Sequence, residues 1–172
     1  QAPGTGFPGE TTGVLPPPTN WSRSKRASIS YGYGISVSAL QLASAYTALA
    51  NDGRRVPPSL LKVKTPPVGD QVISSDNAHA LLGMMEKIVQ PNGPAKRAVV
   101  EGYRIAGKTG TVRKVTAGGY QKTAYRSLFA GVAPVSDPRI VTVVMIENPK
   151  GEEYYGGLVA APVFGRVVGK AL

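Results

Sequence analysis

The run from Ile105 to Lys114, IAGKTGTVRK, is the stretch of the sequence richest in residues that could do chemistry, and it admits two incompatible readings. With Gly102 in front, Gly102-Tyr-Arg-Ile-Ala-Gly107-Lys108-Thr109 fits G-x-x-x-x-G-K-[ST], the loop that cradles phosphates. Read from Lys108 alone, Lys108-Thr109-Gly110 is the triplet that serine acyl-transfer enzymes set beside their nucleophile. One reading implies nucleotide chemistry and the other an acyl-enzyme.

A phosphate loop needs a helix beginning at its Lys-[Ser/Thr], because that helix N-terminus and its free amides hold the anion. Here Gly-Thr-Val-Arg-Lys-Val follows, which is poor helix material and good strand material. The loop interior Tyr-Arg-Ile-Ala is bulky where tight backbone curvature is required. The apolar run ending at Glu147 imitates a magnesium-binding strand, yet Glu147-Asn148-Pro149 reads equally well as a strand ending in a turn. The strand reading is preferred. On a strand bordering a cleft, Gly110 would let a substrate backbone approach and pair alongside. Thr109 and Thr111 would share one side. Two hydroxyls beside the Lys108 ammonium make a receptor for a carboxylate.

Several elements must position that strand. Residues 1–20 carry Gly and Pro at nearly every turn position, which predicts a loop-rich lead-in extending to about residue 35. A helix is predicted over 36–51, with Leu42, Ala45, Tyr46 and Leu49 on its apolar face, then a Pro-rich connector. A second helix over 74–89 has Leu81, Met84, Met85 and Ile88 as its apolar face, with the methionines read as core filling. Strands are predicted from Tyr103 through 111–116, over 120–132 and over 140–146, with a turn at Ala117-Gly118-Gly119. A last helix over 160–172 opens near Pro162 and turns Phe164, Val167, Val168 and Ala171 inward. Three strands joined by short turns form an antiparallel meander that helices can cover, an α+β fold. The chain therefore divides into a lead-in (1–35), helices with a connector (36–100), and strands with a final helix (101–172).

Composition narrows the function classes. With 172 residues the chain has the size of one domain, and no apolar run is long enough to cross a bilayer. There is no cysteine, so disulfides and thiolate metal sites are excluded. The single histidine, His79, sits in a helical pattern and is read as structural or exposed rather than catalytic. The net charge of +10 would suit an anionic polymer or surface. Its basic residues lie in small scattered groups without interleaved aromatics, so nucleic acid is not expected as a partner. The first residue is Gln1 rather than Met, which is read as a processed or excised product.

Beyond the triplet, five further stretches occur in order: Gly6-Phe7-Pro8-Gly9-Glu10, the run from Ser30 to Asn51, Gly102-Tyr103 to Lys114, Gly131-Val132-Ala133-Pro134, and Tyr154-Tyr155-Gly156-Gly157 with Ala161-Pro162-Val163-Phe164. Together they resemble the C-terminal half of the transpeptidase domain of class B penicillin-binding proteins, of the division-specific (FtsI-type) kind more than the elongation-specific kind. The resemblance covers nearly the whole chain. It implies a penicillin-binding/serine-transferase (β-lactamase-like) fold and a D,D-transpeptidase that cross-links stem peptides ending in D-Ala-D-Ala through a serine acyl-enzyme, with β-lactams as inhibitors and no cofactor or metal. It also implies septal cell-wall synthesis at the periplasmic face of the bacterial inner membrane, with division-machinery proteins as partners. Carried onto this chain, Lys108 shapes the electrostatics around the nucleophile and helps bind the carboxylate. Thr109 and Thr111 bind the carboxylate beside Gly110, and the Thr111 backbone N–H is an oxyanion-hole donor. Arg113, Tyr154 and Tyr155 would line the rim, where a solvated Arg and packing tyrosines are the alternative.

The family also needs S-x-x-K, holding nucleophile and base, and S-x-N. Ser59-Leu-Leu-Lys62 and Ser75-Asp-Asn77 match in order, but only 12 residues separate them, two of them prolines. The family places a helical subdomain there. Ser75–Asn77 is better read as a helix start, and Ser59–Lys62 as part of the connector. Ser22-Arg-Ser-Lys25 lies in a polar segment with no apolar helix behind it. The nucleophile is therefore expected in a missing N-terminal half, and the isolated chain is expected to be inactive. A rival from another class is a non-catalytic basic α+β module that binds an anionic polymer or protein partner at its sheet edge.

Overall fold

The computed structural model describes residues 2–65, 67–116 and 119–172. Its elements are α1 (Arg23–Ser30), α2 (Ala39–Ala50), β1 (Arg54–Arg55), β2 (Asp70–Gln71), α3 (Ser75–Glu86), β3 (Ala106–Thr116), β4 (Gly119–Ala133), β5 (Ile140–Glu147), α4 (Gly156–Val159) and α5 (Ala161–Ala171). Strands β3, β4 and β5 form the expected antiparallel meander in that order. Tyr103 to Ile105 precede β3 rather than belonging to it, and Tyr103 makes only an isolated bridge to Val100. Ala117 and Gly118 of the expected turn lie outside the described residues, and Gly119 opens β4.

Helix starts follow the local chemistry. At α2 the Ser38 hydroxyl accepts from Gln41 N while the Gln41 side chain accepts from Ser38 N, a reciprocal cap. The Gln41 side chain also donates to Thr12 O at 3.0 Å, tying the lead-in to α2. Ser74 caps α3, so Ser75 to Asn77 is that helix's first turn, as expected. The lead-in differs from expectation: Ser22 accepts from Lys25 N and opens α1, an eight-residue helix with no buried residue. Its interior is polar, so only the cap and short-range bonds mark it in the sequence.

The sheet carries helices on both faces. Period-2 alternation puts Ala106 of β3, Val132 of β4 and Val141 of β5 on one face, with Leu82 of α3 and Tyr46 and Leu49 of α2 against them. Phe129 on the other face meets Phe164 of α5 edge to face, centroids 4.8 Å apart, and both rings are 0% exposed. A side chain at Gly107 or Gly131 would collide with these rings, so the glycines make the room that the aromatic pair fills.

Three helical faces are rotated from their predicted phase. On α3, Ala78 and Leu82 are buried while Leu81 and Met84 are exposed, Met84 at 66%. The i, i+4 pair of Ala78 and Leu82 points down, and a tight 3-10 turn over Lys87–Val89 then shifts the phase so that Val89 is buried and Ile88 half-buried. On α2 the buried residues are the small Ser44 and Ala48, with the larger expected residues at the flanks and Ala45 exposed. On α5, Ala161, Phe164 and Val168 are buried, whereas Val167 is 51% exposed and Ala171 is exposed.

Candidate active site

Strand β3 pairs only with β4 among the described residues, so its other edge is free. Thr109 pairs with Phe129, Gly110 with Leu128, Thr111 with Ser127 and Arg113 with Tyr125. Residues 109, 111 and 113 share the face that carries α5, while Lys108 and Gly110 belong to the opposite face. The Lys108 ammonium bends back to the edge and donates to Thr109 O at 2.9 Å. The structure thus brings both threonines to one side, as expected, and roots the neighbouring cation on the other.

The segment 154–157 closes on this strand. The Gly156 N–H donates to Thr111 Oγ1 at 3.0 Å, and the Ser127 hydroxyl donates to Tyr154 O. A Cβ on Gly156 would come within 2.5 Å of Gly110 O and strike Leu128 O, while one on Gly157 would strike Pro94 O and approach Thr109 Cγ2 at 3.4 Å. Only glycines allow α4 to seat this closely. Gly110 is also tight on its own face, where a Cβ would press Leu128 at 3.3 Å. Its missing side chain therefore serves packing as well as leaving the strand edge bare.

The expected rim residues come together through one that the sequence reading did not single out. Tyr125 stacks on Tyr154 with centroids 4.0 Å apart, and Arg113 Cζ lies 5.8 Å from the Tyr125 ring centroid. Tyr154 tilts against Tyr155 at 4.4 Å, and its phenol donates to the Tyr155 oxygen at 3.2 Å. That hydrogen bond, reinforced by the charge Tyr155 would carry on ionising, pushes the Tyr154 phenol up to about 12. Tyr155 is exposed, so the stack forms an aromatic ledge with a cation at one end.

Charge at this end of the sheet is distributed unevenly. Glu147 of β5 pairs with Lys114 and Arg126, and the hydrogen bond from Lys114 with the nearby Arg126 charge holds its carboxyl below the ordinary range. Lys108 and Arg113 form no ion pair among the described residues. The edge therefore presents two uncompensated cations and the threonine hydroxyls, an environment suited to a carboxylate.

The other serine motifs lie apart from this arrangement. Ser59 sits in the exposed connector, where its hydroxyl bonds the backbone of Leu61. Ser22 is the cap of α1, and its hydroxyl meets Lys25 N and Ser24 Oγ. His79 is an exposed residue of α3 whose Nε2 lies 2.8 Å from Asp52 Oδ1, a tie between α3 and the turn after α2. Sequence reasoning missed Tyr125 and Ser127, and assigned Gly156 and Gly157 no role. Register could have found Ser127, the cross-strand partner of Thr111. The adjacent glycines were a signal for close backbone approach.

A three-stranded antiparallel sheet with helices on both faces and Lys-Thr-Gly-Thr on its free edge defines the sheet portion of a penicillin-recognising fold. The chain belongs to the penicillin binding protein transpeptidase domain family, whose model matches residues 1–169. It is 43% identical over 167 residues to the probable peptidoglycan D,D-transpeptidase PbpC of Pseudomonas aeruginosa, covering 97% of this chain and 30% of that protein. It is 41% identical over 172 residues to the peptidoglycan D,D-transpeptidase FtsI of Escherichia coli K12, covering all of this chain and 29% of that one. Among solved structures, the apo transpeptidase domain of penicillin-binding protein 3 from Burkholderia pseudomallei superposes with a TM-score of 0.92 at 44% identity, over 99% of this chain and 52% of that chain. The chain thus spans about 30% of the curated relatives it matches and about half of that solved domain. Among the described residues, no helix is long and apolar enough to cross a membrane.

Proposed function

We propose that residues 1–172 form the C-terminal portion of a single transpeptidase domain and supply the Lys-Thr-Gly wall of a peptidoglycan D,D-transpeptidase site. The observation that carries this reading is the free edge of β3, where Thr109, Gly110 and Thr111 lie beside two uncompensated cations, Lys108 and Arg113, with α4 seated behind them. A serine in the remainder of the domain attacks the carbonyl carbon of the penultimate D-Ala of a stem peptide. The C–N bond to the terminal D-Ala breaks, that residue departs with a proton, and an amine of a neighbouring stem peptide then takes the acyl group from the serine. β-Lactams enter by the same attack and remain attached.

In this scheme Lys108 places positive charge beside the serine and, with the Thr109 and Thr111 hydroxyls, holds the substrate carboxylate. The Thr111 backbone N–H is one donor to the oxyanion, and a donor of that kind contributes about 3–4 kcal/mol to the chemical step. Arg113, Tyr154 and Tyr155 line the rim that receives the rest of the ligand. The relatives named peptidoglycan D,D-transpeptidase support the reaction, and on this reading the site works in septal wall synthesis on the periplasmic face of the inner membrane with division proteins as partners. The reading is tested by labelling with a fluorescent penicillin. The complete domain becomes covalently tagged, and the 172-residue chain alone does not. A tag on Ser22 or Ser59 of the isolated chain, found by peptide mapping, refutes the assignment of the nucleophile to the remaining half. A complete domain that takes no label, while still binding an anionic polymer, favours a non-catalytic binding module.

A further inference from the structure

Ser127 is 0% exposed, in the middle of β4, flanked on its own face by Phe129 and Tyr125. A buried hydroxyl there is unfavourable unless it is hydrogen-bonded, and an alanine would fill nearly the same space. Its bond is directed out of the sheet: Ser127 Oγ donates to the Tyr154 carbonyl. Its cross-strand partner Thr111 accepts from Gly156 N, so two neighbouring hydroxyls grip the same short segment, one as donor and one as acceptor. Tyr125, two residues before Ser127 on the same face, supports the Tyr154 ring from below.

We propose that Ser127 is a positioning residue of the site, whose hydroxyl fixes where the Tyr154–Tyr155 ledge stands relative to the β3 edge. The inference rests on the reading of that edge as one wall of a penicillin-reactive site. Ser127 touches no ligand. It acts through the Tyr154 backbone, and so it governs how a bulky ligand side chain is received while leaving the reacting atoms alone. Thr111 fixes the next backbone group but also belongs to the wall itself. Ser127 is the member of the pair that can be altered without touching it.

The test compares the complete transpeptidase domain with its Ser127→Ala and Ser127→Cys variants. Cysteine keeps the shape with a weaker donor and serves as the partial rescue. Amide hydrogen exchange is read at Tyr155, Gly156 and Gly157. Acylation is measured with a penicillin bearing a bulky aromatic side chain and with 6-aminopenicillanic acid, which has none. For Ser127→Ala we expect exchange about tenfold faster at those amides and unchanged along β4 and β5. We also expect the preference for the bulky penicillin to shrink by roughly tenfold, with the small one acylating at its original rate and Ser127→Cys falling between. An unchanged preference, or exchange rising evenly along β4, overturns the proposal. If neither penicillin acylates the unsubstituted domain, the active-site reading falls and this role for Ser127 falls with it.

Discussion

Gly156 N–H donates to Thr111 Oγ1 at 3.0 Å, joining residues 45 apart in sequence. The bond occupies a lone pair of the hydroxyl and leaves its proton to be donated elsewhere, which is the polarity a carboxylate ligand requires. Thr111→Val keeps the shape and removes both functions, so acylation of the complete domain by penicillin should slow by about 10- to 100-fold. Thr111→Ser retains the hydroxyl and should lose far less. A loss in Thr111→Ser with Thr111→Val near the parental rate would show that the methyl group, and not the hydroxyl, matters at this position.

The seat of α4 gives a prediction about stability. A methyl at Gly157 would strike Pro94 O, and one at Gly156 would meet the backbones of Gly110 and Leu128. Backbone carbonyls cannot step aside as a flexible side chain can. Gly157→Ala should therefore destabilise the chain by about 3 kcal/mol or more, read as a fall in the thermal midpoint. Gly83→Ala, in the middle of α3 with open space around it, should be neutral or stabilising, since alanine is the better helix former. Parity between the two variants would argue that α4 does not seat as closely as described.

Much of this organisation was legible in the sequence because it is local. The β-branched run after Gly110 marks a strand, and Ser74 and Ser38 mark helix starts. The dense apolar run over 140–146 marks a strand, but not the continuously buried one it suggests: β5 is an edge of the sheet and its residues are half-buried or exposed. Parity along β3 placed Thr109 and Thr111 together. Helix phase was less legible. A stripe of large apolar residues on α2 and α3 suggested one face, but the buried positions include the small Ser44, Ala48 and Ala78, whose size and polarity do not announce them in an apolar pattern. The ledge was only half legible. Tyr154 and Tyr155 announce themselves, whereas Tyr125 and Ser127 acquire their roles from contacts with Tyr154, distant along the chain, that no local pattern encodes.

The Tyr154 phenol yields a prediction in alkali. Its hydroxyl donates to Tyr155, and that hydrogen bond is the largest reason that its pKa rises from 10.0 to about 12. A pKa raised in the folded state means that the stabilisation is complete below the unfolded value near 10 and is lost as pH rises towards 12. Phenolate absorbance should therefore show a late step for Tyr154 beside that of Tyr46, whose burial also raises its phenol, and the thermal midpoint should fall across that window. Tyr155→Phe removes the acceptor, so the late titration should move down and the fall in midpoint should become shallower. No change in the late steps between the parent and Tyr155→Phe, with Tyr46→Phe used to remove the step of the buried phenol, would assign the Tyr154 shift to another neighbour.

Lys108, Thr109 and Arg113, three of the β3 side chains proposed to meet the ligand, should differ in a fixed order. Lys108 is exposed, has no ion-pair partner among the described residues, and reaches the strand edge at Thr109 O. A charge-assisted contact of this kind in a water-poor cleft contributes on the order of 1.5–3 kcal/mol, so Lys108→Ala should slow acylation of the complete domain by about 10- to 150-fold. Thr109→Val keeps the shape and loses only a neutral hydroxyl, so its effect should be smaller. Arg113 lies farther along the strand over Tyr125, and an exposed cation–π contact contributes only about 0.5–1 kcal/mol. Arg113→Ala should therefore slow acylation least and act mainly on ligands with large side chains. The quantity to compare is the second-order acylation constant at matched folded fraction, so that lost stability is not counted as lost catalysis. Parental acylation by Lys108→Ala together with severe slowing by Arg113→Ala would move the ligand carboxylate from the Lys-Thr-Gly end of the strand to the aromatic ledge.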